Sequence, residues 1–172
     1  MFSFDLQHTQ NVSALLEQLS VYSNEQLNAR PKDGGWSPLQ VLHHLILSET
    51  LSLQYVKKKI SFGGPFETVG LKSHWAGFLL RFYLNTPIKF KAPPMVTTEK
   101  LPEYSTLEAA KTQWLAIREE WKNFFTTLAP ELHNKAIYKH PVGGRLGWKQ
   151  LYVFFATHTK RHEKQIFKCL GA

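Results

Sequence analysis

Residues 148–166, near the C-terminus, constrain the fold most because their pattern fits one kind of secondary structure. The stretch contains neither proline nor glycine. Its apolar residues recur at steps of three and four, at Trp148, Leu151 and Phe155, and this spacing predicts an amphipathic α-helix. The positions that continue the same stripe are His158 and His162. The helix therefore places two imidazoles, one turn apart, on the face that should pack into the core.

Two histidines on the buried face of one helix have two interpretations. A His-x-x-x-His pair can place both imidazoles on one metal ion. Alternatively, the two rings form a polar cluster in the core, where each ring needs a hydrogen-bond partner because it is removed from water. The motif is short, so the pair alone leaves both interpretations open. A metal site would require a further ligand from elsewhere in the chain.

A second helix that carries a histidine pair is predicted to begin after Ser37. Serine is a favoured N-cap residue and Pro38 suits the first helical position, and the apolar pattern continues to about Ile60. The two histidines of this helix lie on different faces. His44 shares a face with apolar residues, Val41, Leu51 and Tyr55. His44 is therefore the candidate third ligand, whereas His43, on a face that becomes polar, is predicted either to support its neighbour or to be exposed.

The rest of the chain supplies two more long helices. The predicted elements are a first helix at Thr9–Asn28, a short inserted helix at Leu71–Tyr83, an irregular stretch at Asn85–Ser105, a helix that Thr106 caps and whose heptad stripe runs from Leu107 to Leu128, and an irregular connection over 130–147. Four long helices of this kind predict an all-α fold, a four-helix bundle in a single domain of residues 1–172. Bundles often build metal sites from side chains on facing helices.

Composition and charge restrict the class of protein. The chain has 172 residues and 43% hydrophobic residues, which is typical of one globular domain. No apolar run is long enough to span a membrane, and the N-terminus lacks the pattern of a secretory signal. The single Cys169 cannot form an internal disulfide; together these features favour the cytoplasm. The net charge is +8, but the basic residues form no long block, so neither nucleic acid nor membrane is expected as a partner.

Several short motifs, taken together in their order, resemble the DinB/YfiT-like superfamily. They are Trp36-Ser37-x6-His44-Leu45, then His140-Pro141-x-x-Gly144, and finally His158-x-x-x-His162-x-x-Gln165-Ile166. The resemblance covers most of the chain, from about Thr9 to Lys168.

This resemblance implies a four-helix bundle, often a homodimer, with one divalent metal ion per chain. By position, the metal ligands would be His44, His158 and His162, which the helical pattern also favours. The ion would be zinc or nickel, or alternatively iron, since sequence does not choose among metals that imidazole suits. Members of the family resemble metal-dependent enzymes: some are thiol S-transferases that use low-molecular-weight thiols, others are isomerases, and many are described only as hydrolases.

Three protein ligands would leave a coordination position open, whereas a closed structural site normally has four. We therefore expect a metal-dependent enzyme, a hydrolase or a thiol S-transferase that acts on a small molecule. The alternative is a non-catalytic helical bundle that binds a metal or another ligand. No catalytic side chain and no cofactor-binding residue is identifiable from the sequence.

Some other residues receive weaker assignments. Glu49 could orient a histidine or act as a base, but a salt bridge to a neighbouring helix is the preferred interpretation. Arg145 and Arg161 could hold an anionic thiol, although both are expected to be solvated. His140 could lie near the mouth of the site. The aromatic residues Phe78, Phe82 and Tyr83 on the inserted helix favour a homodimer.

Overall fold

The computed structural model describes residues 3–32, 34–86 and 98–171. The helices in these ranges are α1 (Ser3–Leu19), α2 (Asn24–Asn28), α3 (Pro38–Ser61), α4 (Leu71–Leu84), α5 (Leu107–Thr126) and α6 (Trp148–Leu170). Two short strands, β1 (Tyr138–His140) and β2 (Gly144–Leu146), form an antiparallel hairpin between α5 and α6.

The four long helices α1, α3, α5 and α6 form the bundle that the sequence predicts. Helices α1 and α3 each pack against both α5 and α6, so α1 and α3 lie diagonally across the bundle although they are the first two long helices of the chain. The core between them is aromatic, with Trp114 and Trp121 from α5 and Tyr152 and Phe155 from α6 fully buried. This arrangement makes α3 and α6 neighbours, which brings together the two helices that carry the candidate ligands.

The predicted helix starts at Ser37 and Thr106 are confirmed. Ser37 accepts a hydrogen bond from the backbone N–H of Gln40, and the Gln40 side chain accepts one from the backbone N–H of Ser37. This reciprocal pair satisfies two helix-end donors and fixes where α3 begins. Thr106 accepts from the backbone N–H of Ala109 in the same way, without the reciprocal bond.

The prediction of one continuous helix over Thr9–Asn28 is wrong at its start and in its continuity. Helix α1 begins at Ser3 and ends at Leu19. After a turn, Ser23 caps the short helix α2 through a capping box with Gln26. The local hydrogen bonds of Ser23 compete with helix continuation, because a serine side chain can satisfy the backbone N–H groups of a new helix start. The apolar spacing ran through this break and concealed it.

The hairpin β1–β2 is an addition to the predicted irregular connection over 130–147. Tyr138 pairs with Leu146 and His140 pairs with Gly144. Gly144 has φ +77°, a conformation that favours glycine. The Tyr138 hydroxyl accepts a hydrogen bond from Ser52 at 3.0 Å, which fastens the hairpin to α3. Three-residue strands of this kind give almost no alternating pattern, so the sequence did not indicate them.

The inserted helix and the segment after it complete the fold. Helix α4 confirms the predicted helix from Leu71 and packs on α6 and on β2. Within the predicted irregular stretch Asn85–Ser105, residues 87–97 lie outside the described part of the chain. The remainder contains a single turn of 3-10 helix at Thr98–Lys100. Across residues 3–32, 34–86 and 98–171, no helix combines the length and apolarity that crossing a membrane requires.

Candidate metal centre

The structure brings together the three histidines that the sequence predicts as ligands. His44 extends from α3, and His158 and His162 extend from α6. The Nε2 atoms of His44 and His158 are 3.3 Å apart, and those of His158 and His162 are 3.0 Å apart. One ligand atom from each ring lies within 4.8 Å of the other two. We call His44, His158 and His162 the three-histidine cluster.

Hydrogen bonding alone does not satisfy this geometry. The Nε2 atom of His158 faces two other ring nitrogens, but a neutral ring nitrogen carries either one proton or one lone pair. It can therefore make a normal hydrogen bond to only one of its two neighbours. Nitrogens bound to one tetrahedral zinc ion, at about 2.0–2.1 Å from the metal, would lie about 3.3 Å apart. The observed spacing is close to that of a common metal ligand set.

Electrostatics keeps the cluster in the neutral form that metals bind. Burial, followed by the charge that His162 would carry, lowers the pKa of His44 to about 3. Burial and the neighbouring histidines hold the pKa of His158 well below 6.5. Burial also lowers the pKa of His162 to about 4, against the opposing effect of its hydrogen bond to Gln165. At neutral pH the cluster therefore presents lone pairs rather than protons.

Neighbouring side chains contact all three rings of the cluster. The Nδ1 atom of His162 lies 2.8 Å from the side-chain oxygen of Gln165. Because that oxygen accepts, Nδ1 carries the proton and Nε2 keeps the lone pair that faces the cluster. The Phe154 ring stacks on His158 with centroids 5.2 Å apart. The Trp36 ring lies against His44 with centroids 4.9 Å apart, so Trp36 borders the cluster.

The other candidate histidines lie outside the cluster. His43 is buried and its Nε2 lies 2.8 Å from the Ser105 hydroxyl, so the expectation that it is exposed is wrong. The connection that carries Ser105 covers this face of α3, which helical periodicity could not reveal. His140 lies on β1, where its Nδ1 accepts from the backbone N–H groups of Val142 and Gly143.

Glu49 makes the salt bridge that was the preferred interpretation. Its carboxylate binds Arg118 at 2.8 Å and accepts from the Trp114 indole at 2.9 Å. His8 lies 3.0 Å from the same carboxylate, and Asp5 binds Arg118 from the other side. We call Asp5, His8, Glu49 and Arg118 the Arg118 network; every member is buried. The network joins α1, α3 and α5, and Glu49 is not a member of the three-histidine cluster.

Neither candidate arginine is held ready for an anion. Arg161 donates to the backbone carbonyls of Leu84 and Thr86 at 2.8 and 2.7 Å. These bonds tie the C-terminal end of α4 to α6, next to His162. Arg145 lies 3.4 Å from the carboxylate of Glu67 on an exposed surface. Both guanidinium groups therefore have structural contacts, and the expectation of simple solvation is wrong for Arg161.

Comparison with protein families settles the class to which this arrangement belongs. The family model described as the DinB superfamily matches residues 6–166, which includes every member of the three-histidine cluster. The chain belongs to the DinB superfamily. The family resemblance and the four-helix-bundle fold that it implied are both confirmed.

Several proteins that are similar to this chain are named for metal-dependent chemistry. A protein of Geobacillus kaustophilus is 27% identical over 159 residues, 90% of this chain and 75% of the relative, and is named "putative metal-dependent hydrolase". A protein of Oceanobacillus iheyensis with the same name is 25% identical over 140 residues, 81% of this chain and 68% of the relative. The solved structure of YfiT from Bacillus subtilis, described as "a probable metal-dependent hydrolase", has a TM-score of 0.58 at 16% identity, covering 96% of this chain and 83% of that one.

Sequence reasoning missed several groups around the cluster. Phe154 gave no signal, because it lies one position away from the apolar stripe that carries Phe155. Gln165 stands three residues after His162, a spacing that places the two side chains on one helix face and could have indicated the hydrogen bond. His8 and Arg118 carried no sequence signal at all, since their partners come from other helices.

Proposed function

We propose that this DinB protein is a divalent-metal-dependent hydrolase whose ion is held by His44, His158 and His162. The observation that carries the proposal is the convergence of three Nε2 atoms, two pairs of them 3.0 and 3.3 Å apart, with no carboxylate among them. Neutral imidazoles are strong ligands for transition metals. The relatives that are named metal-dependent hydrolases support the same function.

Three ligands support a catalytic rather than a purely structural ion. Catalytic zinc sites usually have three protein ligands and keep a position open, whereas structural sites are closed by four. When bound in such a site, a divalent ion lowers the pKa of water toward neutrality and polarises a carbonyl oxygen. The residues of the chain would hold the ion, through the three imidazoles, and exclude bulk water, through Trp36 and Phe154.

The nature of the ligands narrows the choice of metal and substrate. We propose one zinc or nickel ion per chain, with iron as a further option, since all three suit imidazole. The substrate would be a small molecule that reaches the open position. A low-molecular-weight thiol would also bind such an ion as thiolate, so thiol S-transfer is the second reaction to test.

Elemental analysis of protein produced without a polyhistidine tag tests this function directly. About one zinc, nickel or iron ion per chain is expected in the wild type, and loss of that ion is expected in His158→Ala. The matched control is His74→Ala, which removes an exposed histidine on α4. The metal-loaded protein would then be assayed against esters, amides and thiol conjugates. Absence of metal uptake by the wild type would support the alternative, a helical bundle without catalysis.

A second copy of the chain is the proposed macromolecular partner. Large apolar side chains are exposed along one helix: Leu71, Trp75, Phe78, Leu79 and Phe82 are each more than half exposed. An apolar surface of this kind commonly marks an interface between proteins. Light scattering at micromolar concentration should give the mass of a dimer, and Phe78→Lys should give that of a monomer. A wild-type monomer would contradict the proposal.

A further inference from the structure

The hairpin β1–β2 holds one imidazole in a fixed tautomer. The Nδ1 atom of His140 accepts hydrogen bonds from the backbone N–H groups of Val142, at 3.1 Å, and Gly143, at 2.9 Å. A ring nitrogen that accepts two N–H groups must carry its lone pair there. The single proton of the neutral ring therefore lies on Nε2, on the side of the ring away from the turn.

Packing fixes the orientation of this ring as well as its proton. A side chain at Gly143 would meet Leu80 at 3.0 Å and the Nδ1 atom of His140 at 3.5 Å, so the turn sits tightly against both. The hairpin itself is fastened to α3 by the hydrogen bond between Ser52 and Tyr138. The His140 imidazole consequently has little freedom to rotate or to exchange its two nitrogens.

The Phe154 ring links the fixed imidazole to the three-histidine cluster. His140 meets the Phe154 ring edge-on with centroids 4.6 Å apart, and Phe154 stacks on His158. The distance is short enough that a positive charge on His140 would lower the pKa of His158. Burial lowers the pKa of His140 itself to about 4, so the ring is neutral at physiological pH and adds no charge that would repel a metal ion.

The Nε2–H group of His140 has no acceptor among the described residues. The hydrogen bonds of the ring within residues 3–32, 34–86 and 98–171 are the two at Nδ1. The ring is only partly exposed, and a donor that is half removed from water gains from any acceptor brought to it. A hydrogen-bond donor with a fixed direction is thus available on a ring that shares the Phe154 contact with His158.

We propose that His140 donates its Nε2–H hydrogen bond to a carbonyl oxygen of the substrate at the metal centre. This inference rests on the proposed function and sharpens it, since it assigns substrates that carry an acyl group. A neutral imidazole fixed by backbone amides stabilises negative charge that develops on such an oxygen, without reorganisation during the reaction. His140 would thus be a substrate-binding residue and not a metal ligand.

Acetohydroxamate, a small chelator with a carbonyl oxygen, serves as the probe for this donor. Its affinity for the zinc-loaded protein would be measured by titration calorimetry in wild type and in His140→Asn. The asparagine oxygen can still accept the backbone N–H groups of the turn, but the Nε2 donor is lost. We expect binding about tenfold to one-hundredfold weaker, with zinc content and melting temperature unchanged. His140→Gln, whose amide reaches further along the side chain, should recover part of the affinity.

The outcomes separate this inference from the proposed function. Equal affinity of wild type and His140→Asn for acetohydroxamate, with full zinc content in both, would overturn the donor role and leave the hydrolase proposal standing. Failure of the wild type to take up zinc would overturn the proposed function and the donor role with it. Long-range proton–nitrogen NMR of the metal-free protein is an independent check. A proton on Nδ1 of His140, instead of Nε2, would refute the inference whatever the metal content.

Discussion

In the Arg118 network the carboxylate of Glu49 lies against a guanidinium, whereas in the three-histidine cluster the imidazoles lie only against one another. The network is fully buried in the helical bundle, whereas in the cluster His44 is buried and His158 and His162 are half-buried. Burial raises the pKa of Glu49, but the charges and hydrogen bonds of His8 and Arg118 outweigh it and bring the value to about 2. In the cluster, burial and neighbouring charges act in the same direction, and the pKa values of His44 and His162 fall to about 3 and 4.

The Arg118 network is satisfied by contacts within the chain, whereas the three-histidine cluster needs a bound ligand. The network contains its own charges of both signs, and each Arg118–carboxylate contact is made within the chain. The cluster contains bases without a cation. Buried polar groups without partners are costly, so the cluster is stable only at some expense in the free protein. A bound metal ion would remove that cost.

The largest effect is expected when the network loses its cation. Arg118→Met keeps most of the side-chain volume but removes the guanidinium that pairs with both Asp5 and Glu49, and this should lower the free energy of unfolding by about 3–5 kcal/mol. Urea unfolding of the metal-free protein would measure it. The matched control is Lys122→Met, which breaks an exposed ion pair with Glu119 and should change stability by less than about 1 kcal/mol. Equal effects of the two variants would remove the distinction between the network and a surface pair.

Metal removal should lower the stability that the cluster contributes and leave the contribution of the network unchanged. Free zinc at a hundredfold excess over its dissociation constant should raise the free energy of unfolding by about 2.7 kcal/mol, and a chelator should reverse the gain. His158→Ala should show no such response, because it has lost a ligand. Thermal unfolding with zinc and with chelator would measure both proteins. If the melting temperature of the wild type were the same with zinc and with chelator, the cluster would not be stabilised by metal, and the contrast with the network would be lost.

Gln165 tests whether the cluster depends on its orienting hydrogen bond. Gln165→Leu removes the acceptor for Nδ1–H of His162, and loss of such a partner typically weakens metal affinity about tenfold to one-hundredfold. Competition with a fluorescent zinc chelator would measure the affinity. The side chain is exposed, so the stability of the metal-free protein should barely change. Gln165→Glu, which keeps an acceptor, should retain the affinity.

In the metal-free protein, the cluster and the network should change the free energy of unfolding in different pH ranges. Below pH 6.5 an unfolded histidine binds a proton, but folded His44, with a pKa of about 3, does not. The free energy of unfolding therefore falls as the pH drops from about 6.5 toward 3, by about 1.4 kcal/mol per pH unit for each such group. Glu49 acts at lower pH: its stabilisation is present above 4.5 and is lost as the pH falls toward 2.

Urea unfolding at pH 7.0, 6.0 and 5.0 would test this separation. His44→Asn should flatten the slope between pH 6.5 and 5, where Glu49 stays ionised, whereas the control His74→Ala should not. An unchanged slope in His44→Asn would show that His44 is not held neutral in the folded protein.

The candidate ligands could be predicted because each lies on a helix with a readable pattern. His158 and His162 continue the stripe of Phe155, and His44 shares a face with apolar residues of α3. The helix starts at Ser37 and Thr106 followed from local capping chemistry. The break near Ser23 and the hairpin at Tyr138–Leu146 were missed, because a short element is fixed by a few hydrogen bonds that the pattern does not record.

The environment of each polar residue depended on chain segments far away in sequence. His43 is buried because Ser105 covers it, and Glu49 binds Arg118 because α3 and α5 are neighbours. His140 received its fixed tautomer from a turn whose geometry the sequence did not specify. None of these contacts has a periodic signal.

The sequence by itself determined that the chain forms four long helices, its family and the three candidate imidazoles, because periodicity and capping are local properties of the chain. Only the tertiary structure decided that α3 lies next to α6, that the three Nε2 atoms converge, and that Glu49 belongs to another group. The physical reason is that helix packing relates residues more than a hundred positions apart, such as His44 and His158. Burial then sets their protonation, and no single helix contains that information.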